Sequence, residues 1–265
     1  MNRRSPGPAL LLALLVLSRP LLADDARKLL VESEARHRTK SQQYAGQLSV
    51  AAKDGKVRKK SWRSWREGYA GDAKLLIRFT APPEVKGVSF LSLGKPGLSP
   101  DQWLYLPSMK RERRIATQDR DTSFVGTDFN YEDMEEFDQA KFDVAVKGEE
   151  TVDGQPCWKI EARPTSTTEK AGKSLYERKL LWLRKDILYM VKQEIFRKGE
   201  KEVAKRLVLA DLQQVDGHWV ARKLEMSDLK KGSRTTIVLE ELAFDRPQPA
   251  ARFTLQNLNR EGGED

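Results

Sequence analysis

The stretch SFVGTDFNYEDM, residues 123–134, combines three aromatic side chains, three carboxylates and one glycine. It shows neither the strict alternation of a half-buried strand nor the 3.6-residue apolar spacing of an amphipathic helix. It follows the basic run KRERR at residues 110–114 and precedes the strand-like KFDVAVKG at 141–148. We therefore predict a connection between two strands that is long enough to hold a helical turn.

Local signals within this stretch predict its shape. Asp128 or Asn130 can cap a turn formed by residues 131–136, because short polar side chains accept hydrogen bonds from the first backbone amides of a helix. Gly126 is expected to permit a backbone conformation, or a close approach, that a side chain would block. The stretch then packs either as a flap over the concave side of a sheet or as a purely structural plug.

The side chains of the stretch are predicted to separate by polarity. The aromatic residues are expected to face the sheet, and these are Phe124, Phe129 and Tyr131. The carboxylates are expected to point outward or back toward the basic strand, whose arginines are Arg111, Arg113 and Arg114.

The rest of the chain reads as strands joined by short turns. Asp-Gly pairs at residues 54–55, 153–154 and 216–217 each separate two strand-like segments, which is typical of tight hairpins. In several segments apolar and polar residues alternate, which indicates strands with one face exposed to solvent and the other face buried. An acidic pair at residues 24–25 favours a helix that continues to about residue 40. These patterns predict an antiparallel meander with few helices, as in a sandwich, a barrel or a strongly curved sheet.

The N-terminus carries the pattern of a secretory signal peptide. Arg3 and Arg4 precede an uncharged apolar run at residues 9–17, and Ala23 offers a small residue at the cleavage point. We predict a signal peptide over residues 1–23, with an uncleaved anchor as the alternative, then a single domain over 24–259 and a disordered tail over 260–265. The 265 residues carry a formal net charge of +9 and contain one cysteine, so no internal disulfide is possible.

The sequence offers little for catalysis. Neither His37 nor His218 has a second histidine, cysteine or serine at the spacing of a metal site or a catalytic triad. Cys157 is predicted to be a buried, unreactive thiol. The acidic residues near position 128 do not fit a calcium-binding loop. We therefore expect no enzyme activity, no metal and no cofactor. The lysines and arginines are spread along strands, so we expect contacts with lipid headgroups or an acidic partner rather than with nucleic acid.

A longer region that contains the opening stretch resembles a known family. Residues 87–137 hold a Gly-Val-x-Phe-Leu strand, a Trp-Leu-Tyr-Leu-Pro strand, a basic Arg-Arg-Ile strand and the Phe-x-Gly-x-Asp-Phe-x-Tyr-Glu-Asp segment. Together they resemble the periplasmic outer membrane lipoprotein-sorting proteins of the LolA/LolB-like superfamily, and more narrowly a branch found near RND-type (MMPL-like) exporters. The resemblance implies a mainly β (α+β) fold: one curved antiparallel sheet forming an incomplete barrel of about eleven strands, with an N-terminal helix and short helical segments over its concave side.

The resemblance also implies a role without catalytic residues. The expected role is a periplasmic carrier that holds acyl chains of lipoproteins or other lipids in an apolar cavity during transfer toward the outer membrane. The alternative is an accessory or interaction module of an RND-type exporter that binds no lipid itself. In either role we expect a monomer, with an exporter or an outer-membrane acceptor as the possible protein partner.

Two groups of residues are candidates for these contacts. Aromatic residues that line or cover an apolar cavity are Phe79, Phe90, Trp103, Tyr105, Phe124, Phe129, Tyr131 and Trp182. Basic residues that meet lipid headgroups or a partner are Arg111, Arg113 and Arg114. The sequence leaves open whether the aromatic faces surround a cavity or fill an ordinary core.

Overall fold

The structure, a computed structural model, describes residues 23–165 and 174–259. The predicted signal peptide and the predicted disordered tail fall outside these residues, apart from Ala23, at which the first helix begins. The helix ends at His37, three residues before its predicted end. No helix among the described residues is long and apolar enough to cross a membrane.

Thirteen strands and two α-helices make up the regular structure of the described chain. In chain order they are α1 (Ala23–His37), β1 (Ser41–Ala51), β2 (Val57–Glu67), β3 (Lys74–Ala81), β4 (Ser89–Leu93), β5 (Asp101–Leu106), β6 (Arg111–Arg114), β7 (Phe142–Val152), β8 (Gln155–Pro164), β9 (Tyr176–Arg184), β10 (Met190–Arg197), β11 (Lys205–Val215), β12 (His218–Asp228), β13 (Ser233–Phe244) and α2 (Leu255–Leu258). Short 3₁₀ turns occur in several connections, including Tyr131–Met134.

All thirteen strands belong to one antiparallel sheet, in the order β6-β5-β4-β3-β2-β1-β13-β12-β11-β10-β9-β8-β7. Two meanders, β1 to β6 and β7 to β13, are joined where the first strand pairs with the last. The sheet does not close, because β6 and β7 are its two edges. The open antiparallel sheet confirms the predicted fold class, with thirteen strands instead of about eleven.

The predicted Asp-Gly hairpins form. Residues 54–55 join β1 to β2, 153–154 join β7 to β8, and 216–217 join β11 to β12. In the second and third of these turns both central residues have positive φ, for example 47° at Asp153 and 75° at Gly154. Asp and Gly tolerate this conformation, and its twist matches that of the flanking strands.

The connection between β6 and β7 shows that the sheet is strongly curled. Its residues 128–133 contact β5, β13, β11 and β9 through hydrogen bonds. β5 and β9 stand nine strand positions apart, which in a flat sheet is about 43 Å. Six extended residues span at most about 20 Å. The sheet therefore wraps around the connection, and the face that carries it is the concave face.

Apolar side chains pack on both faces of the curled sheet. The concave face carries a large cluster around the connection and a second cluster beneath α1, which packs against β7. On the convex face, α2 covers a cluster centred on Leu76 and Leu91. A further convex cluster surrounds Cys157 and Trp182. The charged ends of long side chains cover part of this convex surface, since Lys159 and Lys192 both lie over the Trp182 ring.

Gly46 is required at the junction of the two meanders. The pairing of β1 with β13 shifts by one residue at Ala45/Gly46, and a Cβ atom on Gly46 would lie 2.1 Å from the carbonyl oxygen of Val238. We expect Gly46→Ala to lower the free energy of unfolding by about 3 kcal/mol, because backbone cannot yield as a side chain can. Urea unfolding measures this loss.

Gly55→Ala is the control for that substitution. Gly55 has open space around its Cβ position but a φ of +82°. The substitution therefore adds backbone strain alone, about 1–2 kcal/mol. A loss at Gly46 no larger than the loss at Gly55 would contradict the steric explanation.

Candidate functional site

The aromatic residues of the β6–β7 connection meet those of the sheet on the concave face. Phe124 is buried between Phe90 and Tyr131, with ring centroids 5.1 Å and 5.6 Å away. Phe79 lies 6.2 Å from Phe124, and Phe129 is buried in the same cluster. The structure thus brings together five of the eight predicted aromatic residues, and the inward orientation predicted for the connection is confirmed.

The backbone of the connection follows the predicted signals. Asn130 takes the N-cap position of the Tyr131–Met134 turn, and its N–H donates to Asp133 at 2.8 Å. Gly126 has a φ of 72°. Val125, just before it, also has a positive φ, and its carbonyl oxygen accepts a hydrogen bond from the Lys60 ammonium group.

The carboxylates of the connection point inward, so the outward orientation expected from the sequence is wrong. Asp128 accepts hydrogen bonds from the hydroxyl groups of Ser233 and Thr235 on β13, the latter at 2.7 Å. Glu132 accepts from Ser174 Oγ at 2.5 Å and from the N–H of Leu175 at 2.9 Å. These donors lie more than 40 residues away in sequence, and they satisfy carboxylates that burial would otherwise destabilise.

Lys205 completes this buried network. It is fully buried, and its ammonium nitrogen lies 2.9 Å from Asp133 Oδ2 and 2.7 Å from Asn130 Oδ1. The Tyr176 hydroxyl donates to the same carboxylate at 2.8 Å. Burial lowers the pKa of Lys205, although Asp133 opposes the shift, and burial together with the nearby carboxylates raises the pKa of Tyr176. Lys205 was not predicted from the sequence, in which the only signal of its inward position is its alternation with Leu207 and Leu209 along β11.

The basic strand β6 lies apart from this network. All four of its residues are exposed. Arg113 forms an ion pair with Asp119, and Arg114 forms one with Asp101. The predicted pairing of the connection's buried carboxylates with β6 is therefore wrong.

A cavity of about 550 Å³ remains on the concave face beside the connection. It lies between α1, residues 129–139 of the connection, and strands β9 to β12. Its wall is mostly apolar on the sheet side. The apolar and aromatic residues of the whole lining, including those from α1 and the connection, are Leu30, Tyr69, Phe129, Phe137, Leu181, Leu183, Tyr189, Met190, Leu207, Leu209 and Met226.

Ion pairs hold the carboxylates of the cavity lining. Glu34 pairs with Arg38 at 2.7 Å. Glu135 and Glu136 of the connection pair with Arg120 at 3.0 Å and with Arg66 at 3.5 Å. The negative charges at this wall are therefore neutralised largely by the protein itself, and the cavity offers mainly apolar contact.

Three of the predicted aromatic residues lie on the other face of the sheet. Trp103 and Tyr105 pack in the convex cluster that contains α2. Trp182 is buried in the second convex cluster, where its indole N–H donates to Glu150 at 2.7 Å. Alternation along a strand shows which side chains share a face but not which face becomes concave. On β9 the cavity is lined instead by the two neighbours of Trp182, Leu181 and Leu183.

His37 joins the end of α1 to the rim of the cavity. Its Nε2 lies 3.0 Å from the carbonyl oxygen of Ile187, and its ring meets Tyr189 edge-on. Burial lowers the pKa of His37, outweighing its backbone hydrogen bonds. Because the folded state then binds a proton less readily than the unfolded state, this contribution to stability is full above pH about 6.5 and is lost as the pH falls.

We expect acidification from pH 7.5 to 5.5 to lower the Tm more in the wild type than in His37→Gln, which does not titrate in this range. Thermal unfolding followed by circular dichroism gives both values. The same fall in Tm in the two proteins would show that His37 does not carry this pH dependence.

Comparisons with known proteins place this geometry among related folds. The model of an "Uncharacterized protein"-like family matches residues 71–260. No curated protein matches the sequence. A crystal structure of a domain described as an outer membrane lipoprotein-sorting protein, from Vibrio parahaemolyticus, is 26% identical with a TM-score of 0.83. The match covers 90% of this chain and 100% of that one.

Two further solved structures share the architecture. A DUF1329 family protein from Desulfovibrio piger is 26% identical with a TM-score of 0.83, over 89% of this chain and 98% of that one. A LolA superfamily protein from Nitrosomonas europaea is 18% identical with a TM-score of 0.68, over 88% and 98% of the two chains. The structural neighbours are thus LolA/LolB superfamily and lipoprotein-sorting domain proteins, which confirms the resemblance to that superfamily predicted from residues 87–137.

Proposed function

The chain belongs to the family whose model matches residues 71–260, and from that membership and its LolA-like fold we propose that it is a periplasmic lipid- or lipoprotein-binding protein. In this proposal it holds acyl chains in the concave cavity and carries them toward the outer membrane. The Vibrio parahaemolyticus domain, described as lipoprotein-sorting, supports both the cargo class and the compartment. The role needs binding and release but no catalytic residue.

The apolar cavity of about 550 Å³ is the observation that carries the proposal. Its volume lies within the usual range for ligand pockets. Each methylene group that moves from water into such a wall contributes about 0.8 kcal/mol, so eight methylenes already supply about 6 kcal/mol before the cost of association. Phe124 and Tyr131 serve in this proposal as the packing that closes one side of the cavity rather than as its direct lining.

Binding of acyl chains can be tested directly. The protein is exported into the periplasm of a Gram-negative host, purified without detergent, and examined by native mass spectrometry and lipid extraction. We expect a co-purified amphiphile, and saturable binding of a fluorescent fatty acid after delipidation. Recovery of ligand-free protein alone, together with no probe binding, would overturn the proposal.

One observation favours the alternative role as an interaction module of an RND-type exporter. Five hairpin turns lie at the same end of the sheet, and together they carry eight lysines and four carboxylates. The turns span residues 52–56, 82–88, 107–110, 198–204 and 229–232. Beside them, Val57, Met109 and Leu229 are 56%, 59% and 43% exposed. We call this surface the basic end. Arg111 lies at the basic end, whereas Arg113 and Arg114 lie farther along β6.

Charge reversal separates the two roles. Under the alternative, Lys53→Glu with Arg111→Glu abolishes copurification of an exporter from membrane extracts, while Lys223→Glu, at an exposed position within β12, leaves it unchanged. Under the carrier role, neither variant alters binding of the fluorescent fatty acid. Copurification that both variants leave intact would remove the basic end from consideration.

A further inference from the structure

The cavity is too small for the cargo with several acyl chains that the fold suggests. A dry protein cavity of about 150 Å³ holds one benzene molecule, which is about 25 Å³ for each carbon atom. At that density, the 550 Å³ present here accommodates about 22 carbon atoms. One ordinary acyl chain fits this space. The two chains of a diacyl phospholipid, or the three of a triacylated lipoprotein, exceed this volume, so their further chains would lie outside the cavity.

The β6–β7 connection prevents the cavity from extending across the concave face. Phe129 and Asp133 form part of the cavity wall and belong to the connection. Asp133 is held by Lys205 and Tyr176, and Asp128 is held by β13. Beyond this wall the concave face is filled by the aromatic cluster around Phe124. A second chain would have to displace a buried network with an ion pair at its centre.

The opposite wall is fixed in a similar way. Arg27 of α1 donates to Gln139 Oε1 at 2.6 Å and to the carbonyl oxygen of Phe142 at 2.8 Å. Ser33 donates to the carbonyl oxygen of Leu188 at 2.6 Å. The helix is therefore tied both to the connection and to the strand side of the cavity, and it cannot move outward without breaking these bonds.

The arrangement of polarity suits a single-chain amphiphile. Leu181, Leu207 and Met226 supply apolar contact on the sheet side, while Glu34 and Glu136 are already ion-paired. The carboxylates of the lining are therefore not reserved for a particular headgroup, and the ammonium group of Lys179, the lysine of the lining, lies 5.2 Å from the centroid of the Tyr176 ring. Selectivity then rests on the number of chains.

We propose that the cavity takes one acyl chain at a time, so that its ligands are single-chain amphiphiles such as lysophospholipids or free fatty acids. This inference rests on the proposed lipid-binding function and narrows its substrate class. It departs from the lipoprotein cargo that the family resemblance implies, because the filled half of the concave face leaves no room for further chains.

A competition experiment tests the inference. The delipidated protein is incubated with vesicles that contain equal amounts of lysophosphatidylethanolamine and diacyl phosphatidylethanolamine with the same acyl chains. Protein is then re-isolated and its bound lipids are counted by native mass spectrometry. We expect a 1:1 complex in which the lysolipid is enriched at least tenfold. Parallel incubations with palmitate and with a triacylated lipopeptide show whether the headgroup matters and whether three chains bind.

The outcomes distinguish the inference from the function on which it rests. Diacyl lipid or triacylated lipopeptide bound as well as the lysolipid would overturn the single-chain inference while supporting lipid binding. No lipid bound in any incubation would overturn the proposed function itself. Palmitate and lysolipid bound equally well would support selection by chain number, and a strict requirement for one headgroup would contradict it.

Discussion

Replacing Lys205 with methionine is expected to lower the free energy of unfolding by about 3–5 kcal/mol, because removing one partner of a buried ion pair leaves the other charge uncompensated. Lys205 is fully buried, and its ammonium group contacts Asp133 and Asn130. Methionine retains most of the apolar stem of lysine, so the loss of stability measures the removal of the charge and not the creation of a cavity. Urea unfolding followed by tryptophan fluorescence measures it.

A double variant identifies the cause of that loss. Asp133→Asn removes the charge that Lys205→Met would strand. Its single amide oxygen can still accept the hydrogen bond from Tyr176, whereas the N–H of Asn130, which donates to the other carboxylate oxygen, loses its acceptor. We expect the double variant to recover at least half of the lost stability. Lys56→Met is the surface control, because its ion pair with Asp54 is exposed and contributes at most about 1 kcal/mol. A loss for Lys205→Met no greater than this control would contradict the interpretation.

The succession of strands could be predicted because its signals are local. The signals are Asp-Gly turns, the alternation of apolar and polar residues, and prolines and glycines that end strands, and each acts on the segment that contains it. The hairpins at residues 54–55, 153–154 and 216–217 are present as predicted. The N-cap at Asn130 and the inward Phe124 are likewise local or periodic features. The count of about eleven strands was taken from the family resemblance, whereas the local signals did indicate β4 and β6, which are only five and four residues long.

The environment of the carboxylates could not be predicted in the same way. Asp128 and Asp133 are buried because their hydrogen-bond partners arrive from strands that follow them by 43 to 107 residues. Nothing within the stretch at residues 123–134 distinguishes a solvated carboxylate from one that meets such partners. The face carrying Trp103 and Trp182 was unpredictable for a related reason, since the direction of sheet curvature depends on what the β6–β7 connection packs against.

The β6–β7 connection thereby has two consequences for the molecule. It fills one half of the concave face with Phe124 and its neighbours, and it bounds the cavity in the other half through Phe129 and Asp133. The flap and the plug weighed from the sequence are thus two descriptions of one segment. Its stability and the size of the proposed binding site are coupled through the same buried network, so under the proposed lipid-binding role a variant that loosens Lys205 should also widen the range of lipids bound.

Filling the cavity should have the largest effect on binding. Leu207→Trp places a larger side chain on the cavity wall, at a position that is only partly buried and can accept it. If the indole displaces three to four methylene groups of a bound chain at about 0.8 kcal/mol each, affinity falls about 100-fold. Titration with a fluorescent fatty acid gives the Kd.

The matched control is Val238→Trp, because Val238 lies on β13, is 43% exposed and does not contribute to the cavity wall. It should leave the Kd within about twofold of the wild type, since an exposed substitution of this kind rarely changes stability by more than about 0.5 kcal/mol. Unfolding curves for both variants establish that they fold. Equal weakening by both substitutions would place the acyl chain elsewhere, and an unchanged Kd for Leu207→Trp in a folded protein would exclude this cavity as its site.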